Sequence, residues 1–156
     1  MAVSRRLVLG ATAAVSLAAV GAAVYTQQTW DMLPCPWCVL QRLIFVAIAA
    51  AALAGLALPR LGTALAALLA ACGLAAALWQ HFVAASSASC DLTLADRLMA
   101  ATGLDERFPD VFMAMASCAD AKVNLAGLPY EAWSGGLFAL TLAAMLWLTF
   151  RRGAGG

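Results

Sequence analysis

The sequence predicts an all-α integral membrane protein, a bundle of four transmembrane helices with two periplasmic loops. Its 156 residues are 65% hydrophobic and only 11% charged, with a mean hydropathy of +0.90. Soluble domains are roughly half apolar, so this composition points to a lipid environment. Four long runs are also free, or nearly free, of Asp, Glu, Lys and Arg. Each run can supply the roughly 20 residues that a helix needs to cross a bilayer.

The whole chain, residues 1–156, is predicted to be a single membrane domain. Its helices are expected near residues 7–26, 39–58, 61–83 and 133–150, and its two larger loops near residues 27–38 and 84–132. An alternative exists for the first segment, because a basic start, an apolar stretch and small residues in an A-x-A-like arrangement are also typical of a cleaved signal peptide. Cleavage would leave the orientation of the other three helices unchanged.

The basic residues predict the orientation of the bundle. If the chain crosses four times, five arginines fall on one side, which should be cytoplasmic and should hold both termini: Arg5, Arg6, Arg60, Arg151 and Arg152. The long loop on the other side has three basic and seven acidic residues, and three minus seven gives a formal charge of minus four. Both loops are therefore predicted to be exported. With a net charge of +1, the chain is not expected to bind nucleic acid.

Four of the five cysteines fall on the predicted exported side. Cys35 and Cys38 lie in the first loop, and Cys90 and Cys118 in the second. Thiols are expected to pair in an oxidising compartment such as the bacterial periplasm, so two pairs are available there. The fifth, Cys72, lies between small residues in the third helix and is predicted to be a packing residue.

The stretch CPWCVLQR, from Cys35 to Arg42, indicates a redox-active pair. A disulfide across two intervening residues closes a very small ring and stabilises little, so a purely structural role explains it poorly. Cys38 is predicted near a helix N-terminus, where the helix dipole favours its thiolate. Arg42 lies one turn further on the same face and adds a positive charge. Two alternatives stay open: structural disulfides, and an arginine that extends to the lipid headgroups.

Metal and haem sites fit the cysteines less well. A c-type haem would need histidine directly after Cys38, where Val39 stands. A zinc ribbon would need a second close pair, whereas Cys90 and Cys118 are 28 positions apart (118 minus 90). No metal is therefore expected. His81, the single histidine, is predicted at the same membrane level as Cys38.

Taken together, these motifs resemble the disulfide bond formation protein B (DsbB) family over essentially the whole chain. The matching segments are CPWCVLQR, WQH at the end of the third helix, SCD at Cys90, LDERFPDVF from Leu104 to Phe112, and SCAD at Cys118. The stretch between His81 and Cys90 is shorter than in better-known members, which leaves the partner-docking surface open.

The resemblance implies a multi-pass disulfide oxidase of the bacterial inner membrane. Such an enzyme re-oxidises a periplasmic DsbA-like dithiol protein and passes two electrons to a membrane quinone, here expected to be ubiquinone rather than menaquinone. The catalytic residues would then be Cys35, Cys38, Cys90 and Cys118. Arg42, His81 and Cys38 would contact the quinone. The alternatives are a non-catalytic four-helix scaffold with two structural disulfides, and a quinone or metal module of other function.

A relay through both pairs follows from the chemistry, because thiol exchange requires each pair to approach the next. The resemblance implies that the partner thiolate opens a Cys90–Cys118 disulfide at Cys90, and Cys118 would then attack Cys35 and release Cys38. Between the loop cysteines, residues 92–115 mix apolar and charged side chains and are predicted to form, in part, an amphipathic helix on the membrane surface. That helix would keep Cys118 near the first loop. A solvated loop is the alternative.

Overall fold

The computed structural model describes residues 4–84 and 93–151. Four of its helices are long and apolar enough to cross a membrane: α1 (Arg5–Trp30), α2 (Pro36–Ala54), α3 (Pro59–Phe82) and α7 (Tyr130–Phe150). The predicted all-α, four-helix membrane architecture is therefore confirmed. Between α3 and α7 lie α4 (Leu94–Thr102), α5 (Leu104–Arg107), α6 (Pro109–Phe112) and a short antiparallel pair, β1 (Asn124–Leu125) and β2 (Leu128–Pro129).

The long helices pack in the order α1, α2, α3, α7, and α2 and α3 occupy the middle. Small residues allow this close approach. Gly73 of α3 faces the ring of Phe138 on α7, which a Cβ at that position would overlap. Phe138 is fully buried and stacks on Phe45 of α2, with 4.1 Å between ring centroids. This aromatic pair fills the interior of the bundle between α2 and α7. The end of the bundle at which the two larger loops emerge is called here the loop end.

Several helix boundaries differ from those predicted: α2 also ends at Ala54 rather than near residue 58, and α7 begins at Tyr130 rather than near residue 133. Two of the differences have clear local causes. Helix α2 begins at Pro36 rather than near residue 39, because proline suits the first helical position, where its missing N–H is not needed. Helix α1 continues beyond the apolar run to Trp30. The side chains of Thr26 and Gln27 are buried against other parts of the chain, so packing extends the helix where hydropathy alone would end it.

The second loop folds back onto the start of α2. Thr93 and Asp96 form a reciprocal capping box at the start of α4, which fixes where that helix begins. Ala95 and Met99 form the buried face of α4 and join Phe112 in a cluster with Trp37 and Val39 of α2. The amphipathic segment predicted here is thus one short helix followed by two single turns, and it packs against α2.

A tight hairpin connects this loop to α7. Ala126 and Gly127 both have positive φ, 52° and 81°, as a two-residue turn between antiparallel strands requires. The indole N–H of Trp133 donates to the carbonyl oxygen of Leu125 at 3.1 Å and ties the hairpin to α7. The hairpin therefore lies beside the loop end of the bundle.

Candidate functional site

The first cysteine pair forms the start of α2. Cys35 is the N-cap residue, and its sulfur accepts a hydrogen bond from the backbone N–H of Cys38 at 3.3 Å. Cys38 lies in the first helical turn, and its sulfur is 2.7 Å from that of Cys35. Both thiols are free. The pair is thus held where only a small displacement separates the free thiols from a disulfide, whose sulfurs lie about 2.05 Å apart.

Cys118 of the second loop reaches this pair. Its side chain lies close enough to that of Cys35 to shift the pKa of both thiols, and both residues belong to the same buried cluster. Two backbone bonds hold the preceding segment in place: the N–H groups of Met115 and Ala116 donate to the carbonyl oxygen of Pro34, at 2.9 and 3.3 Å. The structure therefore brings three of the four predicted catalytic cysteines together. Cys90 lies outside the described residues.

The contact between Cys35 and Cys118 makes the two thiols chemically unequal. The hydrogen bond from Cys35 lowers the pKa of Cys118, against the opposing effect of burial. The pKa of Cys35 is raised by its hydrogen bonds to Cys118 and Cys38, and burial raises it further. Thiol exchange requires the attacking sulfur to come close to the disulfide that it opens. The closeness of Cys118 to Cys35 therefore suits exchange between the loop cysteine and the first pair.

Cys38 also lines a cavity of about 250 Å³, whose lining does not include Cys35 or Cys118. Its walls come from α1, α2, α3 and α7 and from the segment that leads into the hairpin. Most of the lining is apolar, including Ala19, Phe45 and Leu137, while Cys38, Arg42 and Gln80 contribute polar groups. An apolar cleft with a few convergent polar groups is typical of a small-molecule site. Cys38 thus contacts both Cys35 and an apolar cavity that could hold a small ligand.

Arg42 lines this cavity, and its guanidinium is also hydrogen-bonded to three other residues of the protein. The side chain is only 5% exposed. Its Nη1 donates to Oε1 of Gln27 at 2.8 Å and to the carbonyl oxygen of Val111 at 2.9 Å, and Nη2 donates to that of Ala23 at 3.3 Å. The sequence places Arg42 beside Cys38, but it does not indicate that the guanidinium also fastens the second loop to α1 and α2.

Gln27 completes this attachment and was not among the residues predicted for the site. Besides accepting from Arg42, its Nε2 donates to the carbonyl oxygen of Asp110 at 3.3 Å. The residue is 8% exposed, so both polar ends of its amide are satisfied inside the protein. The available signal was an amide side chain at the end of a long apolar helix. Its partners, 15 and 83 residues away, could not be inferred from spacing.

A second set of buried amides connects α2, α3 and α7. Nε2 of Gln41 donates to Oε1 of Gln80 at 2.7 Å, and Nε2 of Gln80 donates to the sulfur of Cys38 at 3.3 Å. The hydroxyl of Ser134 donates to Oε1 of Gln41. Gln41 and Gln80 immediately precede Arg42 and His81 in the motifs CPWCVLQR and WQH. The sequence-based prediction assigned the function to Arg42 and His81 instead.

His81 does not line the cavity. Its side chain is 46% exposed, and Nδ1 lies 2.9 Å from Oε1 of Glu131. Glu131 is buried and does line the cavity, so the histidine reaches it only through this carboxylate. Direct contact between His81 and a cavity ligand remains a prediction. Cys72 is exposed on α3, contrary to the expected packing role.

Known proteins resemble this chain over most of its length. The family model for disulfide bond formation protein DsbB matches residues 5–148. The chain belongs to the DsbB family. A disulfide bond formation protein B from Herminiimonas arsenicoxydans is 31% identical over 152 residues, covering 94% of this chain and 96% of that protein.

Two further DsbB relatives extend the comparison. A disulfide bond formation protein B from Aromatoleum aromaticum is 35% identical over 91% of this chain and 89% of its own length. Disulfide bond formation protein B 1 from Pseudomonas syringae pv. syringae is 34% identical over 81% of this chain and 79% of its own length. Family membership and the four apolar helices together make this a disulfide-forming oxidoreductase and a multi-pass protein of the bacterial inner membrane.

Proposed function

We propose that this protein re-oxidises a periplasmic DsbA-like dithiol protein and transfers the two electrons to a membrane quinone. The observation that carries the proposal is the continuous path from Cys118 through Cys35 to Cys38, which ends at the cavity lined by Arg42. Electrons that pass from a soluble dithiol to a lipid-soluble acceptor need such a path, from a cysteine in a loop to a ligand site in the membrane. A structural disulfide would not need it.

The cavity residues fit a quinone head group. Apolar side chains suit the ring, and the second hydrogen of Arg42 Nη2 can be donated to a carbonyl oxygen, which a guanidinium does without losing its charge. A volume of about 250 Å³ has room for the head group of a quinone. When bound, the quinone accepts two electrons and two protons, so that Cys35 and Cys38 return to the disulfide.

The protein's own steps are successive thiol exchanges. A partner thiolate attacks Cys90 of a Cys90–Cys118 disulfide, forms a mixed disulfide and releases Cys118 as a thiolate. Cys118 attacks Cys35 of the Cys35–Cys38 disulfide, and Cys38 leaves as a thiolate beside the cavity. The partner's second thiol then releases the oxidised partner from Cys90. Finally, Cys90 re-forms its bond to Cys118 and frees Cys35. Each step exchanges one disulfide for another, and two electrons end on Cys35 and Cys38.

The orientation that this proposal needs has the loop end in the periplasm and both termini in the cytoplasm. The arginines support it, because Arg5, Arg60 and Arg151 lie at the helix ends opposite the cysteine cluster. Arg5 donates to the carbonyl oxygen of Leu148 near the end of α7, which keeps the two termini on one side. Positive residues retained on the cytoplasmic side are the usual determinant of membrane orientation.

Catalytic turnover tests the function. The purified protein in lipid vesicles that contain ubiquinone should oxidise many equivalents of a reduced DsbA-like protein, and quinone-free vesicles should oxidise at most one or two. Spheroplasts should oxidise the same protein when it is added outside, if the loop end is periplasmic. A single turnover that ubiquinone does not extend would favour a non-catalytic scaffold with two structural disulfides.

A further inference from the structure

Cys38 receives a hydrogen bond from a residue on another helix. The thiol exchanges of the relay do not require this bond. Gln80, in the last turn of α3, donates from Nε2 to the Cys38 sulfur at 3.3 Å. Gln80 is 6% exposed, so water does not readily replace this contact. The sulfur is thus approached by Cys35 and by an amide from α3.

The orientation of the Gln80 amide is set by its neighbours. Its Oε1 accepts from Nε2 of Gln41 at 2.7 Å, and the Gln41 oxygen accepts from the hydroxyl of Ser134. Gln41 is 4% exposed. Flipping the Gln80 amide alone would place its NH₂ against the NH₂ of Gln41 and its oxygen against the sulfur, which loses both bonds when the sulfur is a thiolate. Gln41 therefore directs an N–H group of Gln80 at the Cys38 thiolate.

We propose that Gln80 is a positioning residue that stabilises Cys38 as a thiolate, with its N–H directed at the sulfur by Gln41. The functional meaning of this inference rests on the role of Cys38 in the proposed function. A hydrogen bond to an ionised acceptor is stronger than one to a neutral acceptor, so the amide favours the thiolate over the thiol. In the relay, Cys38 is the leaving group when Cys118 attacks Cys35, and a better-stabilised thiolate leaves faster.

The alternative is that the amides only hold α2 and α3 together. Interhelical hydrogen bonds within membranes contribute modestly to stability, so this role is physically reasonable. The two roles differ in their pH dependence. If the amides only join the helices, removing them should not change the fraction of Cys38 that is ionised. If Gln80 stabilises the thiolate, removing its donor should lower that fraction at neutral pH. The difference should vanish at a pH at which Cys38 is fully ionised in both proteins.

The test is the alkylation rate of Cys38 as a function of pH, read by peptide mass spectrometry. The reduced, quinone-free full-length protein in detergent is pulsed with iodoacetamide. Gln80→Met keeps the length of the side chain but removes the donor, and it should slow Cys38 alkylation roughly tenfold at neutral pH, with the difference closing at high pH. Gln41→Met, which leaves the donor free to rotate, should give a smaller effect of the same form. Gln28→Met, at an exposed position on α1, is the matched control and should match the wild type.

Three outcomes would overturn the inference: a Gln80→Met profile that superimposes on the wild type, a rate lowered by the same factor at every pH, or a parallel change at Cys118. If Gln80→Met fails to accumulate, Gln80→Asn withdraws the amide from the sulfur by one methylene and should also slow Cys38 alkylation at neutral pH. A wild-type rate in that variant would count against the inference. Because no quinone is present, this result and the turnover of the proposed function can fail independently.

Discussion

Replacing Cys118 with serine should abolish catalytic turnover while leaving the membrane fold intact. Cys118 is the loop sulfur in contact with Cys35, and a serine hydroxyl cannot carry a disulfide. Electrons could then reach Cys35 only by direct attack of an external thiol. Turnover with a DsbA-like partner should fall at least about a hundredfold, because the effective molarity of the held contact is lost. The measurement is the steady-state rate of partner oxidation with saturating ubiquinone.

The same variant should retain its partner as a covalent adduct. If the partner's second cysteine is also replaced, neither Cys118 nor the partner can resolve the bond to Cys90. A mixed disulfide formed by an added oxidant should then persist on non-reducing gels. Adding Cys90→Ala should remove it. Cys72→Ser is the matched control, since Cys72 is an exposed cysteine on α3 with no place in the relay, and it should keep full turnover. Wild-type turnover in Cys118→Ser would exclude the loop pair from the electron path.

Replacing Arg42 with lysine should weaken both the use of quinone and the attachment of the loop. Lysine keeps the charge but presents one nitrogen, which cannot reach Gln27, Val111 and Ala23 together as the guanidinium does. A lost charge-assisted hydrogen bond is worth roughly 1.5 to 3 kcal/mol, so kcat/KM for ubiquinone should fall at least about tenfold. Steady-state kinetics at varied ubiquinone measure this.

Gln27→Leu separates the two roles of the arginine. It removes the amide that accepts from Arg42 and donates to Asp110, but it keeps the guanidinium at the cavity. We expect slower exchange between Cys118 and Cys35 in a single turnover, with kcat/KM for ubiquinone reduced less than in Arg42→Lys. Ubiquinone kinetics of Arg42→Lys equal to those of the wild type would show that the guanidinium does not contact the acceptor.

The fold could be predicted because its main signal is local. Runs of apolar residues long enough to cross a bilayer identify α1, α2, α3 and α7 without knowledge of their partners. Helix ends depend on single contacts instead, and hydropathy does not report them. The cap at Cys35 and the proline at Pro36 moved the start of α2, and the burial of Gln27 extended α1.

The part of the site that could be predicted is likewise local in the sequence. Cys35, Cys38 and Arg42 lie within eight residues, so helical geometry alone relates them. Gln80 reaches Cys38 only because α3 packs on α2 with one particular rotation, and Gln27 reaches Arg42 only because α1 packs beside α2. Such contacts depend on tertiary packing. A single sequence therefore indicates that Gln27 and Gln80 are unusual in apolar helices, but not what they bind.

The most direct test of the relay is the position of the disulfide in a Cys38→Ser variant kept free of partner and reductant. With Cys38 absent, the Cys35 thiol can attack Cys118 of the loop disulfide, which forms a Cys35–Cys118 bond and frees Cys90 without any net oxidation. Acid quenching, alkylation and peptide mapping under non-reducing conditions should find peptides joined through Cys35 and Cys118, with Cys90 alkylated. Cys35→Ser, which cannot make this bond, should retain the Cys90–Cys118 disulfide. Recovery of the Cys90–Cys118 disulfide alone in Cys38→Ser would contradict transfer between Cys118 and Cys35.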